Sequence, residues 1–283
     1  MNLIELYPKK YISYSQLSSY ESCPHTYFRT YILGIRKGNK YTALGSVLHE
    51  VFELQGKQLI AKRPLTLDSV FQKFNNLYFN KEKVPQHYFD DKEDYIKMYK
   101  KGCEAIRNFY EFYKDQVPTF IEKKFETKLV DDIPPVLGYI DRIDGDPSDA
   151  STWIVTDYKS GSSVKSKEFL NTDIQLAIYA QAIFKQYGAY PAAVQYFHPV
   201  ISKWQKAIHQ GDGIYKYTNQ RAPVCQFSVA DAMIKARKIV EEICNSVVTD
   251  TWNKYTDGWG CKNCFHFKEC RPFEGDSWGA IVN

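Results

Sequence analysis

Apolar residues recur at helical spacing through the first third of the chain. Ser15 can cap a first helix in which Gln16, Leu17, Tyr20, Cys23, Tyr27, Phe28 and Tyr31 share a face until Leu33-Gly34 ends the run. A second helix is expected over about 42–61. Its stripe of Leu44, Val47, Leu48, Val51 and Leu54 carries His49 near its edge. Positions 66–80 and 92–115 predict two more helices. Val117-Pro118 then breaks the pattern, and 119–130 alternates as a strand before the turn Asp131-Asp132-Ile133-Pro134-Pro135. Two apolar runs follow, 137–143 and 153–159, separated by the turn cluster Asp144-Gly145-Asp146-Pro147-Ser148-Asp149. A basic loop over 161–167 leads to a helix over 168–187 closed by Gly188. A strand at 192–200 comes next, then short strands at 214–218 and 224–228 around Asn219, Gln220 and Arg221. Ser228, with Asp231 three residues on, opens a last helix reaching about 247. A helix-rich front, three strands, a helix and a further strand predict an α/β fold with a modest mixed sheet.

The chain has 283 residues, 44% apolar and 16% aromatic, enough for a sizeable globular core. A net charge of +4 permits a polyanionic partner. The 22 tyrosines fit either a core or a base-stacking surface. No run approaches the ~20 apolar residues of a membrane span, and the start MNLIELYPKKYISYS lacks signal-peptide architecture. A soluble protein of the cytoplasm, bacterial or of a phage-infected host, is expected. Its seven cysteines are then reduced or metal-bound. With no GxxxxGK[ST] loop, a helicase function would belong to another polypeptide.

The paired runs carry the candidate chemistry. Pairing 137–143 with 153–159 about Asp149 sets Asp141 nearly opposite Asp157, and Asp157 shares a strand face with Lys159. Two carboxylates and an ammonium then converge. Such an oxygen-rich site suits Mg2+ or Mn2+, which polarise a phosphoryl oxygen while a lysine orients the attacking water. The same charges on a solvent-facing hairpin would do no chemistry.

Four motifs in order decide how the hairpin is read: Gly45-x-x-x-His49, Gly138-Tyr139-Ile140-Asp141-Arg142-Ile143-Asp144, Asp157-Tyr158-Lys159-Ser160-Gly161 and Gln175-x-x-x-Tyr179. With these the chain resembles the PD-(D/E)XK nuclease superfamily, in particular its RecB-like branch with the AddB nuclease domain and CRISPR-associated RecB-like exonucleases. The resemblance implies a restriction-endonuclease-like core, a small mixed sheet flanked by helices. One nuclease domain spans 1–283, with a helical part at 15–116, the catalytic sheet at 117–228, and a helix and cluster-binding tail at 229–283. It implies His49, Asp141 and Asp157 as metal ligands, with the Tyr158 carbonyl as a further one, and Lys159 at the attacking water. Gln175 and Tyr179 would support the site and contact DNA. Gln175 could instead complete a capping box begun by Thr172. Glu122, on the strand before the hairpin, could assist as an acid behind the metal ligands, and Glu126 shares its register, so the choice between them stays open. Arg142 and Asp144 fit turn and salt-bridge roles.

Cys261-x2-Cys264-x5-Cys270 is three thiols short of a tetrahedral set by one, and Cys23 is the best fourth. The resemblance implies a structural 4Fe–4S cluster stapling the tail to the first helix. Zinc, with His266 as a substitute ligand, is the competitor. Cys103, Cys225 and Cys244 read as buried thiols.

The implied reaction is metal-dependent hydrolysis of DNA phosphodiester bonds by an exonuclease acting on single strands or ends, in recombination, repair, or phage or CRISPR DNA processing. Helicase, recombinase or integrase partners fit that setting. Lys165, Lys167, Arg36, Lys37 and Lys40 are candidate phosphate contacts. An endonuclease with the same catalytic set, and a non-catalytic DNA-binding or inhibitory relative, remain as alternatives.

Overall fold

The computed structural model describes residues 2–218 and 224–254, together with Cys261, Cys264, His266 and Cys270. Its main helices are α1 (Tyr14–Ser22), α2 (Lys40–Ile60), α3 (Leu67–Tyr78), α4 (Lys92–Tyr113), α5 (Lys167–Asn171), α6 (Ile174–Tyr187) and α7 (Val229–Thr249). The strands are β1 (Phe120–Thr127), β2 (Val136–Asp144), β3 (Ile154–Tyr158), β4 (Ala193–His198), β5 (Lys203–His209), β6 (Ile214–Tyr217) and β7 (Gln226–Ser228). Among the described residues they form one sheet in the order β1 to β7. Every neighbouring pair is antiparallel except β3 and β4. A parallel pair needs a crossover, and α5 and α6 supply it.

Helices cover both faces. On one, Leu44, Val47, Leu48 and Val51 of α2 meet Phe74 of α3, Ile106 and Phe109 of α4, and Tyr158 and Phe197 of the sheet. On the other, Leu17 of α1, Ile178 and Ile183 of α6, and Val240 and Ile243 of α7 pack on Ile140, Val155, Val194 and Tyr196. Tyr78, Tyr113, Tyr158, Tyr179, Tyr196 and Tyr215 are buried, so much of the tyrosine content is core.

Local chemistry sets the helix starts. Asn39 opens α2 by accepting the Tyr41 and Thr42 N–H groups at 2.9 Å each, and Thr42 Oγ1 returns the contact to the Asn39 N–H at 2.9 Å. The α2 stripe holds, with Phe52 stacked on Phe109 at 3.9 Å in place of the half-buried Leu54. Ser228 caps α7 as expected, accepting the Asp231 N–H at 3.3 Å.

The α/β class stands, and four local expectations do not. The first helix starts after Ser13, whose hydroxyl accepts the Gln16 N–H, and stops at Cys23. Cys23 is extended at φ −169° because it precedes a proline; the chain restarts as Pro24–Tyr27 and widens into a π turn at Phe28–Ile32. The helix over 168–187 is two helices: Asp173 takes the cap of α6, accepting the Leu176 N–H at 3.1 Å, while the Thr172 hydroxyl turns back to the Glu168 carbonyl. The Thr172–Gln175 capping box does not form. Strand β5 was hidden because its buried positions include Gln205 while Ile208 lies exposed. Cys225 and Cys244 are buried, whereas Cys103 is only half-buried. The loop at Asn219, Gln220 and Arg221 lies outside the described residues.

Candidate active site

Strand β2 pairs with β3 as Arg142↔Thr156, Ile143↔Val155 and Asp144↔Ile154, a register that makes Asp141 and Asp157 the next opposed pair. The ladder stops there. Asp141 Oδ2 takes the Tyr158 N–H at 2.6 Å, in place of a backbone carbonyl. Beyond this point β3 follows β4, with the Lys159 N–H on the Phe197 carbonyl at 2.8 Å. The other end of β2 is bridged by Ile12 instead. The two carboxylates therefore sit where two strands part, and this fork frees their oxygens from the ladder while leaving both side chains buried.

Helix α2 delivers His49 to the fork. Gly45, one turn earlier on the same face, lets it approach: a Cβ there would lie 3.1 Å from Ser160 Oγ. His49 Nε2 faces the Tyr158 carbonyl at 3.1 Å, and Nδ1 faces Asp141 Oδ1 at 3.3 Å. Both ring nitrogens meet acceptors, which the imidazolium satisfies. Burial pulls the imidazole down, but the Asp141 charge and hydrogen bond, with Asp157 and Glu122, outweigh it and raise His49 to about 9.

Strand β1 adds Glu122. His49, Glu122 and Asp141 each present one ligand atom, all within 4.8 Å of one another, so these three could hold a cation. Glu122 has φ +49°, the left-handed region that costs a non-glycine residue about 1–2 kcal/mol. The register with β2 is unchanged on either side, Ile121↔Arg142 and Lys123↔Ile140. What changes is the face. Ile121 packs on Gly56 of α2, and Glu122 also turns to α2, beside Glu53 and Lys57. Burial and then Asp141 push the Glu122 carboxyl up to about 7. Glu126 stays exposed, 3.6 Å from Lys124. Gly138, opposite Phe125, admits that ring: a Cβ would lie 2.4 Å from Phe125 Cζ.

Asp157 is bound on its other side. Gln175 Nε2 donates to Asp157 Oδ1 at 2.7 Å, and the Tyr179 hydroxyl donates to the same oxygen at 3.1 Å. Lys159 Nζ pairs with Asp157 Oδ2 at 2.7 Å and donates to Gln175 Oε1 at 2.7 Å. Burial, then Asp141, raise the Asp157 carboxyl against the pull of Lys159 and His49. The ammonium lies 5.0 Å from the Tyr196 ring centre. All six expected side chains thus converge on the fork, His49 with Asp141 on one side and Lys159, Gln175 and Tyr179 around Asp157 on the other. Tyr158 contributes its backbone, while its ring is buried in the α2–α4 core.

A groove of about 1010 Å³ leads away from Lys159 and Gln175 along α1. Ser15, Ser18, Ser19, Ser22, Tyr14 and Tyr31 line it, as do Arg36, Lys37 and Lys254, and it reaches Cys23, Cys261, Cys264 and Cys270. Among the described residues its lining contains no carboxylate. Lys40 is not a free phosphate contact, because Asp90 and Asp94 hold it at 2.9 and 2.8 Å. No helix among the described residues is long and apolar enough to cross a membrane.

The family model of the PD-(D/E)XK nuclease superfamily matches residues 11–271. The chain belongs to this superfamily. Its enzymes are metal-dependent nucleases, and the match spans the fork, the groove and the three late cysteines. No curated protein matches the chain. The sequence reading named Glu122 but could not separate it from Glu126 while β1 was taken as a regular strand, and it missed Asp173, hidden inside what read as one helix. Its one signal was a second capping residue directly after Thr172.

Proposed function

We propose that the protein is a metal-dependent DNA exonuclease that hydrolyses phosphodiester bonds on single strands or DNA ends. The groove carries this reading: cations, hydroxyls and tyrosines, with no carboxylate among the described lining residues, match a strand held by its backbone and stacked bases. His49, Asp141, Asp157 and the Tyr158 carbonyl would hold Mg2+ or Mn2+, with Glu122 as a further carboxylate beside them. The ion supplies Lewis acidity at the scissile phosphoryl group and makes the attacking water more acidic. Lys159, fixed between Asp157 and Gln175, orients that water and offsets charge developing on the phosphate. Gln175 and Tyr179 hold Asp157 in place. Arg36 and Lys37 bind the backbone further along.

Cys23, Cys261, Cys264 and Cys270 would carry a structural 4Fe–4S cluster. All four line the groove, and both Cys264 and Cys23 act electrostatically on Cys270, whose thiol burial pushes up. A cluster there would fasten the tail to the start of the Pro24–Tyr27 turn. Anaerobically purified protein should be brown and lose its visible absorption in Cys23→Ala; a colourless protein with one zinc per chain overturns this assignment. The setting we infer is cytoplasmic recombination, repair, or phage or CRISPR DNA processing, with helicase, recombinase or integrase partners.

The test is digestion of end-labelled linear single- and double-stranded DNA with Mg2+ or Mn2+, beside a circular single strand. Loss of the linear strand with the circle intact is expected. Cleavage of the circle makes the enzyme an endonuclease, and no cleavage of any substrate makes it a non-catalytic DNA-binding relative.

A further inference from the structure

Behind Lys159 lies a buried carboxylate that the reaction described above does not use. Asp173 is fully buried at the start of α6. Its Oδ1 accepts the Leu176 N–H at 3.1 Å and the Tyr196 hydroxyl at 3.0 Å, and Oδ2 accepts the Tyr217 hydroxyl at 3.1 Å. Helix capping needs only one of these contacts, and an exposed serine or asparagine would provide it. The two tyrosine hydroxyls hold the carboxylate beyond what a cap requires.

The surplus has a direction. Tyr196, itself fully buried, presents its ring 5.0 Å from Lys159 Nζ. Two residues beyond Asp173 in the first turn of α6, Gln175 accepts the Lys159 ammonium at 2.7 Å and donates to Asp157 at 2.7 Å. Asp173 therefore fixes two of the groups that surround the ammonium, one through a hydroxyl and one through the helix start. Its charge also acts on Lys159 across the space between them.

We propose that Asp173 is a positioning residue that holds the Lys159 ammonium in its working place through Tyr196 and the first turn of α6. This rests on the assignment of Lys159 to the hydrolysis step. Asp173 touches neither substrate nor ion. It keeps a flexible four-carbon side chain from leaving Asp157, and Tyr217 anchors it from β6.

Asp173→Asn separates positioning from capping, since asparagine caps a helix as well as aspartate and has nearly the same volume. Tyr196→Phe keeps the ring and removes only its link to Asp173. Both variants and the parent protein are assayed for kcat and KM on a labelled single strand with Mn2+. Trace acetylation, quantified by mass spectrometry, measures how reactive Lys159 is in each. Positioning predicts a kcat roughly 10- to 100-fold lower in Asp173→Asn. KM should stay within about twofold, and Lys159 acetylation should rise several-fold in both variants. A kcat within about twofold of the parent, with Lys159 reactivity unchanged, overturns the proposal and leaves Asp173 a helix cap. If the parent protein cuts no DNA, the nuclease assignment fails, and the acetylation arm still decides the positioning role. If Asp173→Asn does not fold, Tyr196→Phe decides it by the same two readouts.

Discussion

The two ends of the β2–β3 hairpin contain the same kinds of residue and settle their charges in opposite ways. At the closed end Arg142, with no exposed side-chain surface, grips Asp144 through Nε at 2.9 and 2.8 Å and Nη2 at 2.6 Å. Nη2 also donates to the Gln116 carbonyl at 2.9 Å, and the guanidinium lies 3.9 Å from the Tyr113 ring centre. One positive charge meets one negative charge, and the pair is structural. At the open end Asp141, Asp157 and Glu122 face Lys159 and His49, while the neighbouring Lys57 is paired with Glu53. Two carboxyl groups there, Asp157 and Glu122, are raised by burial and by the nearby Asp141. A fold that completes its charge pairing three residues away leaves this end short of positive charge. That deficit is what a divalent cation relieves.

The comparison fails most visibly if the open end proves inert. Asp157→Asn keeps an oxygen for Gln175 and Tyr179 and removes the charge. Cleavage of a labelled single strand should fall by about 10³-fold with an unchanged circular dichroism spectrum. Retained cleavage would return the fork to a structural role.

At the closed end the same logic predicts the reverse. Arg142→Met leaves Asp144, a quarter of whose side chain is exposed, without its partner and should cost about 2 kcal/mol in urea unfolding. Mn2+ affinity measured by calorimetry should be unchanged. A large loss of metal affinity with little loss of stability would show that the two ends are not separable.

How much of this contrast could be read from the chain depends on regular periodicity. The hairpin register was legible because its turn residues fix a midpoint, and that placed Asp141 across from Asp157 correctly. Two motif glycines sit at close approaches that the sequence reading did not assign, Gly45 against Ser160 and Gly138 against Phe125. The site's limits were not legible. Ile140 and Ile143 both face the α6 core, so alternation slips at Asp141 just as it does opposite, at Glu122. A rule of two residues per repeat cannot report such a slip, and Glu122 consequently looked no different from Glu126. Asp173 was lost for a related reason, since two helices meeting at a cap share one hydrophobic stripe. The cysteine tail was legible as a motif through its spacing alone.

A smaller effect sharpens the charge account. His49 is held near 9 by its carboxylate neighbours, so at pH 7.5 a cation must displace a proton from it. Mn2+ binding should release about one proton, seen as a dependence of calorimetric heat on buffer ionisation enthalpy, and affinity should rise about tenfold per pH unit below 9. Binding without proton release would mean that His49 is not a ligand.

The smallest effect isolates the backbone. Glu122→Gly removes a carboxylate and also removes the strain of φ +49°, which glycine adopts freely. The metal-free protein should gain about 1 kcal/mol at pH 7.5 while Mn2+ affinity falls. Glu122→Gln, which keeps the strain, should lose affinity without that backbone gain. The pH dependence follows from the raised carboxyl. Between 4.5 in the unfolded chain and about 7 in the fold, the folded state keeps a proton that the unfolded state has released. Glu122 therefore lowers stability as pH rises through that window and adds no further change above it. Both variants should lose this component in urea titrations from pH 4.5 to 7. If Glu122→Gly is instead less stable than the parent at pH 7.5, the left-handed backbone is not strained in its fold, and the carboxylate is held there by contacts stronger than the repulsion around it.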